Sequence, residues 1–274
     1  MKDIVALFTN ARDEKHIKEW AVHHLLIGFD LIIIFDHKSV NPLKHEFNNF
    51  DKRVKTLNVS HFENGIKTTL MNIAAKIAKQ KNVKWLLYLD CDEFLILHPK
   101  FIGVKDFLNH YKHAYSIGIN WVMFGSNNLI KDPDGLILDN YTKSESKLNN
   151  HVKSFVKVSK ILNASNPHFY HTINNLNMYG INNKLITGFG AFSDFPIPHY
   201  DSPAYIAHYC IQSEETYIKR KVFLPADDTG NKRQFDMSNI KSIHNMHNEA
   251  DNLYPKIKYA ENIKKFLAKY GATY

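Results

Sequence analysis

The chain has 274 residues, enough for one large domain, and its 44% of hydrophobic residues excludes a disordered protein. It contains two cysteines, which excludes a disulfide framework and favours a reducing compartment. The formal charge of +8 suits an anionic partner, but the lysines are scattered along the chain, so a solvated basic surface is favoured over a nucleic-acid-binding face.

The first hundred residues are predicted to alternate between strands and helices. Short apolar runs that end in polar residues indicate buried strands, and apolar residues at helical spacing indicate helices between them. This order predicts a parallel sheet with crossover helices. The strands are predicted at Asp3–Thr9, Leu31–Asp36, Val54–Val59 and Trp85–Asp90, and the helical stripes at Ile17–Leu25 and Leu70–Ala78.

The second half of the chain is less regular. Strands are predicted at Ala114–Phe124, His151–Leu162 and Ala204–Ile211. A serine N-cap followed by acids begins a helix at Ser213–Phe223, and an amphipathic helix is predicted at Pro255–Gly271. Because no segment has the composition of a linker, we expect one domain with an α/β first part and an elaborated second part.

Targeting segments are not evident in the sequence. The apolar run near the N-terminus is too short for a signal peptide, and no segment approaches about 20 apolar residues. We therefore expect a soluble, cytoplasmic protein. The high content of Lys, Asn and Ile is typical of an AT-rich genome, bacterial or viral.

Three carboxylates, Asp90, Asp92 and Glu93, interrupt the apolar run LLYLDCDEFLIL of residues 86–97. Ionised carboxylates in such a run are costly unless they have partners. Two aspartates at positions i and i+2 of an extended backbone point the same way, so both can approach one cation. An isolated D-x-D pattern is common by chance, but the buried flanks favour a site for Mg²⁺ or Mn²⁺ bound to phosphate, at the edge where open parallel sheets bind ligands.

The segment WLLYLDCDEFL (85–95) resembles the metal-binding motif of nucleotide-sugar glycosyltransferases of the GT-A type. The resemblance is to family 92-type and family 2-like enzymes, once grouped as domain of unknown function 23. It runs from about Ile4 to Lys221, and its segments follow the order of the family. The other matching segments are ARDEKHIKEWAVHHLLIGFD (11–30), IIIFDHKSVN (32–41), NWVMFGSN (120–127), HVKSFVKVSKI (151–161) and IAHYCIQSEETYIKRK (206–221).

The resemblance implies an α/β fold of the GT-A type, with a mostly parallel central sheet, flanking helices and an elaborated acceptor-side half. One domain would span residues 1–274. Within it, about residues 1–100 would bind the nucleotide sugar, about 101–235 would bind the acceptor, and 236–274 would form a C-terminal helical segment.

The resemblance also implies a metal-dependent hexosyltransferase. Such an enzyme would move a sugar from a nucleoside diphosphate donor, with a UDP-sugar expected, to a hydroxyl of a glycan or glycoconjugate, with inversion at the anomeric carbon. Two alternatives remain: a metal-dependent nucleotide phosphotransferase or hydrolase that uses the same acids, and a basic nucleic-acid-binding protein. The second alternative leaves the buried acids unexplained, so we expect no nucleic-acid partner.

Three residues are expected at the divalent ion, Mn²⁺ or Mg²⁺, from the resemblance. Asp92 would be the direct ligand, and Asp90 would lie nearer the ribose or reach the ion through water. His208 would be a third ligand, since a neutral imidazole suits manganese, although a hydrogen-bonded core histidine is an equal interpretation. For Glu93, a structural ion pair beneath the site is as good an interpretation as a functional role.

Further contacts to the nucleotide are expected from three residues. Arg12 and Lys153 would meet phosphates, while an exposed strand lysine is the alternative for Lys153. Asp36 ends a buried strand at the same edge as Asp90, where it would accept from uracil or a ribose hydroxyl; its alternative role is to cap the following turn.

On the acceptor half, Trp121 is either a platform for a sugar ring or a core residue. Inverting transfer needs a base for the acceptor hydroxyl, and Asp194 is the first choice among Asp132, Asp134, Asp194 and Asp201. Two histidine pairs, His168-x-x-His171 and His244-x-x-His247, have no cysteine pair beside them, so we expect surface or local contacts rather than a closed zinc site.

Overall fold

The computed structural model describes residues 3–173, 177–187 and 190–271. Within these residues, no helix combines the length and the apolar character needed to cross a membrane. The strands are β1 (Ile4–Ala11), β2 (Leu31–Asp36), β3 (Val54–Asn58), β4 (Val83–Tyr88), β5 (Glu93–Leu97), β6 (Ser116–Met123), β7 (Lys143–Ser144), β8 (Val152–Lys157), β9 (Ile161–Asn166), β10 (Phe169–Thr172), β11 (Met178–Gly180), β12 (Ala204–His208) and β13 (Ala250–Asp251).

The helices are short apart from the two that cover the first strands. Two tight 3₁₀ turns lie at Val158–Lys160 and His199–Asp201, and two wide π turns lie at Ile218–Val222 and Lys256–Ala260. The α-helices are α1 (Ile17–Leu26), α2 (Leu43–Glu46), α3 (Lys67–Gln80), α4 (Val104–His110), α5 (Ile137–Asn140), α6 (Glu214–Tyr217), α7 (Met237–His244) and α8 (Glu261–Ala268).

A central sheet has the strand order β3-β2-β1-β4-β8-β6-β12-β5, with β11 beside the first part of β6. Strands β1 to β4 are parallel, β8 is antiparallel to both β4 and β6, and β12 is parallel to β6 but antiparallel to β5. The carboxyl ends of β1, β4, β6 and β12 therefore meet the amino ends of β8 and β5 at one edge of the sheet. This edge carries the candidate site.

Both faces of the sheet are covered because alternate residues of the apolar strands pack in opposite directions. In β1, Val5 and Leu7 belong to the core that includes α1, α4 and α8, while Ala6 and Phe8 belong to the core under α3. These four side chains are almost fully buried. The fully apolar character of the strands, read from the sequence, thus has its physical cause in burial from two sides.

The predicted α/β fold is confirmed, with a mostly parallel central sheet, flanking helices and an elaborated second half. The serine N-cap is also confirmed, since Ser213 Oγ accepts from the N–H of Thr216 at 3.1 Å. The predicted strand His151–Leu162 is in fact two, because the turn Val158–Lys160 divides β8 from β9. Strand β5 was not predicted as an element of its own.

Candidate functional site

A cleft of about 460 Å³ opens at the edge of the sheet where the carboxyl ends of β1, β4, β6 and β12 lie. It brings together residues that are as much as two hundred positions apart in the chain. The charged residues among those described that line it are Arg12, Glu14, Lys67, Asp90, Asp92, Lys153, Arg220, Lys221, Asp227, Asp228 and Arg233, and the histidines are His168, His208 and His247.

Asp90 lies in the turn of four residues that joins β4 to β5. Its carboxylate accepts a hydrogen bond from the ammonium of Lys67, and its Oδ2 lies 3.2 Å from Nζ of Lys153. Burial alone would raise the pKa of Asp90, but Lys153 and Lys67 hold this pKa well below its usual value. Asp90 is therefore ionised over the physiological pH range.

Lys67 and Lys153 reach Asp90 from different elements of the fold. Lys67 is the first residue of α3, and Lys153 lies near the amino end of β8, which the antiparallel direction of that strand brings to the site. The Lys153 side chain is only 2% exposed and also donates to the carbonyl oxygen of Pro167 at 3.2 Å. A lysine buried to this degree needs a compensating negative charge, which Asp90 provides.

Asp92 is more deeply buried than Asp90 and has a separate set of cationic partners. Its Oδ2 accepts from Nζ of Lys221 at 3.0 Å and from Nη1 of Arg220 at 3.4 Å. Its Oδ1 lies 3.6 Å from Nε2 of His208. Burial would raise the pKa of Asp92, but these neighbours lower it below its usual value, so this carboxylate is ionised as well.

The π turn Ile218–Val222 carries both Arg220 and Lys221. The N–H of Phe223 donates to the carbonyl of Ile218 at 3.1 Å, which closes a turn wider than that of an α-helix. Arg220 also donates to Oε1 of Glu14 through Nη2 at 2.7 Å, so its guanidinium bridges Glu14 and Asp92. Wide turns of this kind are frequent at functional sites.

Glu93 supports the site from below and does not line the cleft. Its Oε2 accepts from the backbone N–H of Asp90 at 2.9 Å and lies 3.7 Å from Nζ of Lys153. Burial raises the pKa of Glu93 to about 8, against the opposing effect of Lys153. These contacts agree with a structural role for Glu93, but as a hydrogen-bonding carboxyl at neutral pH rather than the expected ion pair.

The three expected metal ligands lie in the same cleft. Burial lowers the pKa of His208 to about 3, so its imidazole is neutral, as a metal ligand must be. The aspartate oxygens, however, are engaged by lysine and arginine, and within the described residues no three His, Cys, Asp or Glu side chains are grouped to hold a metal ion. The ion remains a prediction.

Two of the residues expected to contact the nucleotide line the cleft. Lys153 lies at its floor, and Arg12 follows the end of β1. The Nε atom of Arg12 is buried without a hydrogen-bond partner among the described residues.

Two other predicted residues are placed elsewhere. Asp36 lies at the expected edge, but it is buried outside the described lining of the cleft, and its Oδ2 accepts from the N–H of Leu43 at 2.8 Å, at the start of α2. This is the capping role. Asp194 is exposed and is likewise absent from the described lining, so its position does not fit a base that acts in the cleft.

Trp121 lines the cleft beside three histidines and is only partly buried. Its ring stacks on that of His151, with a centroid distance of 5.1 Å and an angle of 12° between the planes. The rings of His168 and His208 lie 5.2 and 4.4 Å away. Trp121 therefore has one part packed in protein and another part facing the cleft.

The residues of the site that were not predicted from the sequence include Lys67, Arg220, Lys221 and His247. Lys67 begins an amphipathic helix, where a lysine is ordinarily solvated, so the sequence contains no signal for it. Arg220 and Lys221 belong to the run KRK within the last of the family-like segments, and that run is the signal that could have identified them. His247 was expected to make surface or local contacts.

Comparisons with known proteins give weak similarities. No protein-family model matches the chain, and no curated protein matches it. Similar solved structures include TarS of S. aureus, 14% identical over 57% of this chain and 28% of that chain, with a TM-score of 0.37. HddC from Yersinia pseudotuberculosis is 11% identical over 65% and 90%, with a TM-score of 0.37, and 4-diphosphocytidyl-2C-methyl-D-erythritol synthase is 9% identical over 57% and 76%, with a TM-score of 0.35. The match thus spans little more than a quarter of TarS, and likeness at this level identifies neither a family nor a function.

Proposed function

We propose that the protein is a nucleotide-sugar-dependent glycosyltransferase of the hexosyltransferase class. The observation that carries this proposal is the pairing of two ionised carboxylates, Asp90 and Asp92, with four cationic side chains in one cleft. The cleft lies at the edge where open α/β sheets bind ligands. Its volume of about 460 Å³ is within the range of small-molecule sites.

The cations of the cleft favour a donor with a diphosphate. Arg12, Arg220 and Lys221 line it together and can donate to phosphate oxygens, and a guanidinium matches such oxygens with two parallel N–H groups. Asp92 and Glu14 hold Arg220 in place before a ligand arrives. Donors fixed in advance stabilise a developing negative charge more effectively than solvent does.

The proposed reaction places a growing negative charge beside these cations. The acceptor oxygen attacks the anomeric carbon, the bond from that carbon to the diphosphate breaks, and its electron pair leaves with the nucleoside diphosphate. A Mn²⁺ or Mg²⁺ ion, when bound by Asp90, Asp92 and His208, would supply further neutralisation of that charge. The expected donor is a UDP-sugar, and the acceptor is a hydroxyl of a glycan or glycoconjugate, with Trp121 as the platform for a sugar ring.

A panel of nucleotide sugars tests the proposal. We expect a UDP-sugar to raise the melting temperature more than the other donors do, and to be slowly converted to UDP and free sugar. Release of inorganic phosphate without free sugar would favour the phosphotransferase or hydrolase instead. If no nucleotide sugar stabilises the protein, the proposal is wrong.

The same assay, with manganese or with a chelator, tests the ion. A larger donor-dependent stabilisation with Mn²⁺ is expected if Asp90, Asp92 and His208 bind it. Equal stabilisation in both conditions would mean that Lys67, Lys153, Arg220 and Lys221 neutralise the charges of the site without an ion.

A further inference from the structure

His247 makes contacts to which the proposed function assigns no role. It lines the cleft, and its Nδ1 lies 3.2 Å from Oε1 of Glu145. Glu145 is not among the described residues that line the cleft. Its carboxylate also accepts from Nδ2 of Asn149 at 3.3 Å and from the N–H of Met123 at 3.3 Å. The nearby negative charge favours the tautomer that has the proton on Nδ1 and the lone pair on Nε2.

The turn that carries His247 is fixed by three consecutive residues after β6. Gly125 has no side chain where a Cβ atom would lie 2.6 Å from the carbonyl oxygen of His247. Ser126 Oγ donates to the carbonyl of His244 at 2.7 Å, and the N–H of Asn127 donates to the side chain of Asn248 at 2.9 Å. These residues are the last three of the segment NWVMFGSN (120–127), to which the proposed donor contacts assign no role.

The backbone at His247 also has an uncommon conformation. Its φ angle is +60°, in the left-handed region that only a few per cent of non-glycine residues adopt, with Asn, Asp and His the most frequent among them. Such a conformation persists only where the surrounding structure imposes it, and it is concentrated at functional sites. Here the contacts of Gly125, Ser126 and Asn127 impose it.

We propose that His247 is the base of the sugar transfer and that Glu145 is the residue that positions its ring, an inference that rests on the proposed function. The proton of the acceptor hydroxyl passes to Nε2 of His247 as the acceptor oxygen bonds to the anomeric carbon. The electron pair of the broken bond leaves with the nucleoside diphosphate, so the ring becomes an imidazolium beside the Glu145 carboxylate. The charge formed on the base is thus compensated by an adjacent negative charge.

A second histidine of the cleft is less suited to this task. Nδ1 of His168 lies 2.9 Å from the carbonyl of Val152, and burial lowers the pKa of His168 to about 4. No carboxylate lies within ion-pair distance of this ring among its described contacts. His168 would therefore hold a proton poorly, whereas a carboxylate oxygen lies 3.2 Å from the ring of His247.

Two substitutions that tolerate the left-handed backbone test the proposal. His247→Asn and His247→Gly remove the base, while Asn and Gly both adopt a positive φ without a large cost. We expect each to lower the rate of transfer to acceptor by about 100-fold or more, with the donor-dependent rise in melting temperature unchanged. Imidazole in solution should restore part of the transfer in His247→Gly but none in Glu145→Gln, where the ring is present and only its partner is altered.

His45→Asn is the matched control, because His45 is an exposed histidine of α2 outside the described lining of the cleft. Transfer within twofold of the wild type in His247→Asn or His247→Gly would overturn the proposal. Loss of donor stabilisation along with transfer would also overturn it, because it would assign His247 to donor binding. If the wild type itself is not stabilised by any nucleotide sugar, the proposed function fails, and this outcome is distinct from the other two.

Discussion

Nζ of Lys221 lies 3.0 Å from Oδ2 of Asp92, although the two residues are 129 positions apart in the chain. The carboxylate thus holds a cation in the cleft that the late segment Ile218–Val222 supplies. This contact links the first and second halves of the chain.

Replacing Lys221 by methionine should weaken donor binding and leave the fold intact. Methionine keeps most of the aliphatic stem, and Arg220 remains within 3.4 Å of Asp92 to balance its charge. Loss of one charge-assisted hydrogen bond to phosphate predicts an increase in donor Kd of about tenfold. Titration of UDP-sugar checks this, with Lys219→Met as the control because Lys219 is 64% exposed and pairs with Glu215. Equal effects of the two substitutions would contradict the role of Lys221.

Replacing Asp90 by asparagine should destabilise the protein. Two buried ammonium groups, those of Lys67 and Lys153, would lose their shared carboxylate. Breaking a buried ion pair from one side costs about 3–5 kcal/mol in the free energy of unfolding. Urea titration measures the change, and Asp3→Asn is the control because Asp3 and Lys84 form a solvent-exposed pair, worth about 0–1 kcal/mol. A loss no larger than that of the control would show that the lysines are neutralised in another way.

Asp92→Ala should abolish turnover of the donor while the protein still folds. The substitution removes the carboxylate that holds Lys221 and Arg220 and that is expected to ligate the ion. Removal of a single preorganised electrostatic group typically lowers kcat by about 100- to 1,000-fold. Release of UDP measures turnover, and circular dichroism checks the fold. Wild-type turnover in the variant would refute the assignment of the cleft.

Acid pH should destabilise the fold through two buried histidines of α1. Burial lowers the pKa of His23 to about 4 and that of His24 well below its usual value. Both histidines stay neutral in the folded state, so the free energy of unfolding is unaffected above the unfolded pKa of about 6.5. As the pH falls from there towards 4, the unfolded chain binds protons that the folded state does not bind, and the free energy of unfolding decreases. For His23 alone, the loss is roughly 3 kcal/mol in the free energy of unfolding.

Urea titrations at pH 7 and pH 4.5 check this pH dependence. His23→Gln should show a smaller difference between the two pH values than the wild type, since glutamine does not titrate. His45→Gln, at an exposed position, should leave the difference unchanged. The same pH dependence in His23→Gln and in the wild type would contradict the prediction.

Gly125→Ala should reduce transfer more than donor binding. The new methyl group would meet the carbonyl oxygen of His247 and the side chain of Asn248, so the turn that carries the imidazole must shift. A displacement of about 1 Å at a catalytic group can cost about 100-fold in rate. Initial rates with acceptor, together with donor-dependent melting, separate the two effects. Parallel losses in both measurements would indicate a general disturbance of the cleft.

Much of the fold could be predicted because burial from two sides leaves a local signal. The strands β1, β2 and β4 are short apolar runs, and α1 and α3 show helical spacing of their apolar residues. The boundary between β8 and β9 escaped prediction because the turn at Val158–Lys160 contains neither glycine nor proline. Strand β5 escaped prediction because four residues separate it from β4, so both seemed to belong to one apolar run.

The candidate site was predictable only where chemistry and position coincide within a short segment. Asp90 and Asp92 interrupt a buried apolar run. The free-energy cost of burying an ionised carboxylate therefore identifies them as functional candidates. Lys67 has no such local signal, because its burial results from contact with Asp90, 23 positions away. Glu145 and His247 likewise have no local sequence signal. About a hundred residues separate them in the chain, and the turn packed against Gly125 brings them together.

Asp36 shows the limit of reasoning from the end of a strand. It was correctly placed at the edge of the sheet, but its strand lies beyond β1 from the centre of the cleft, and a local backbone N–H uses its Oδ2. For Asp194, the sequence offers only its place in the second half of the chain. The packing of loops determines which acidic residue of this half faces the cleft. Loop packing leaves no periodic pattern in the sequence.

The π turn Ile218–Val222 contains an additional residue, so the number of residues in this segment affects ligand affinity. Two successive cations of this segment reach one oxygen: Nζ of Lys221 lies 3.0 Å and Nη1 of Arg220 lies 3.4 Å from Oδ2 of Asp92. Deletion of one residue there would rotate the following side chains about the helix axis. One of the two cations would then point away from Asp92, even if every remaining side chain were kept. In related sequences, a gap at this point would therefore matter more than an exchange of lysine for arginine.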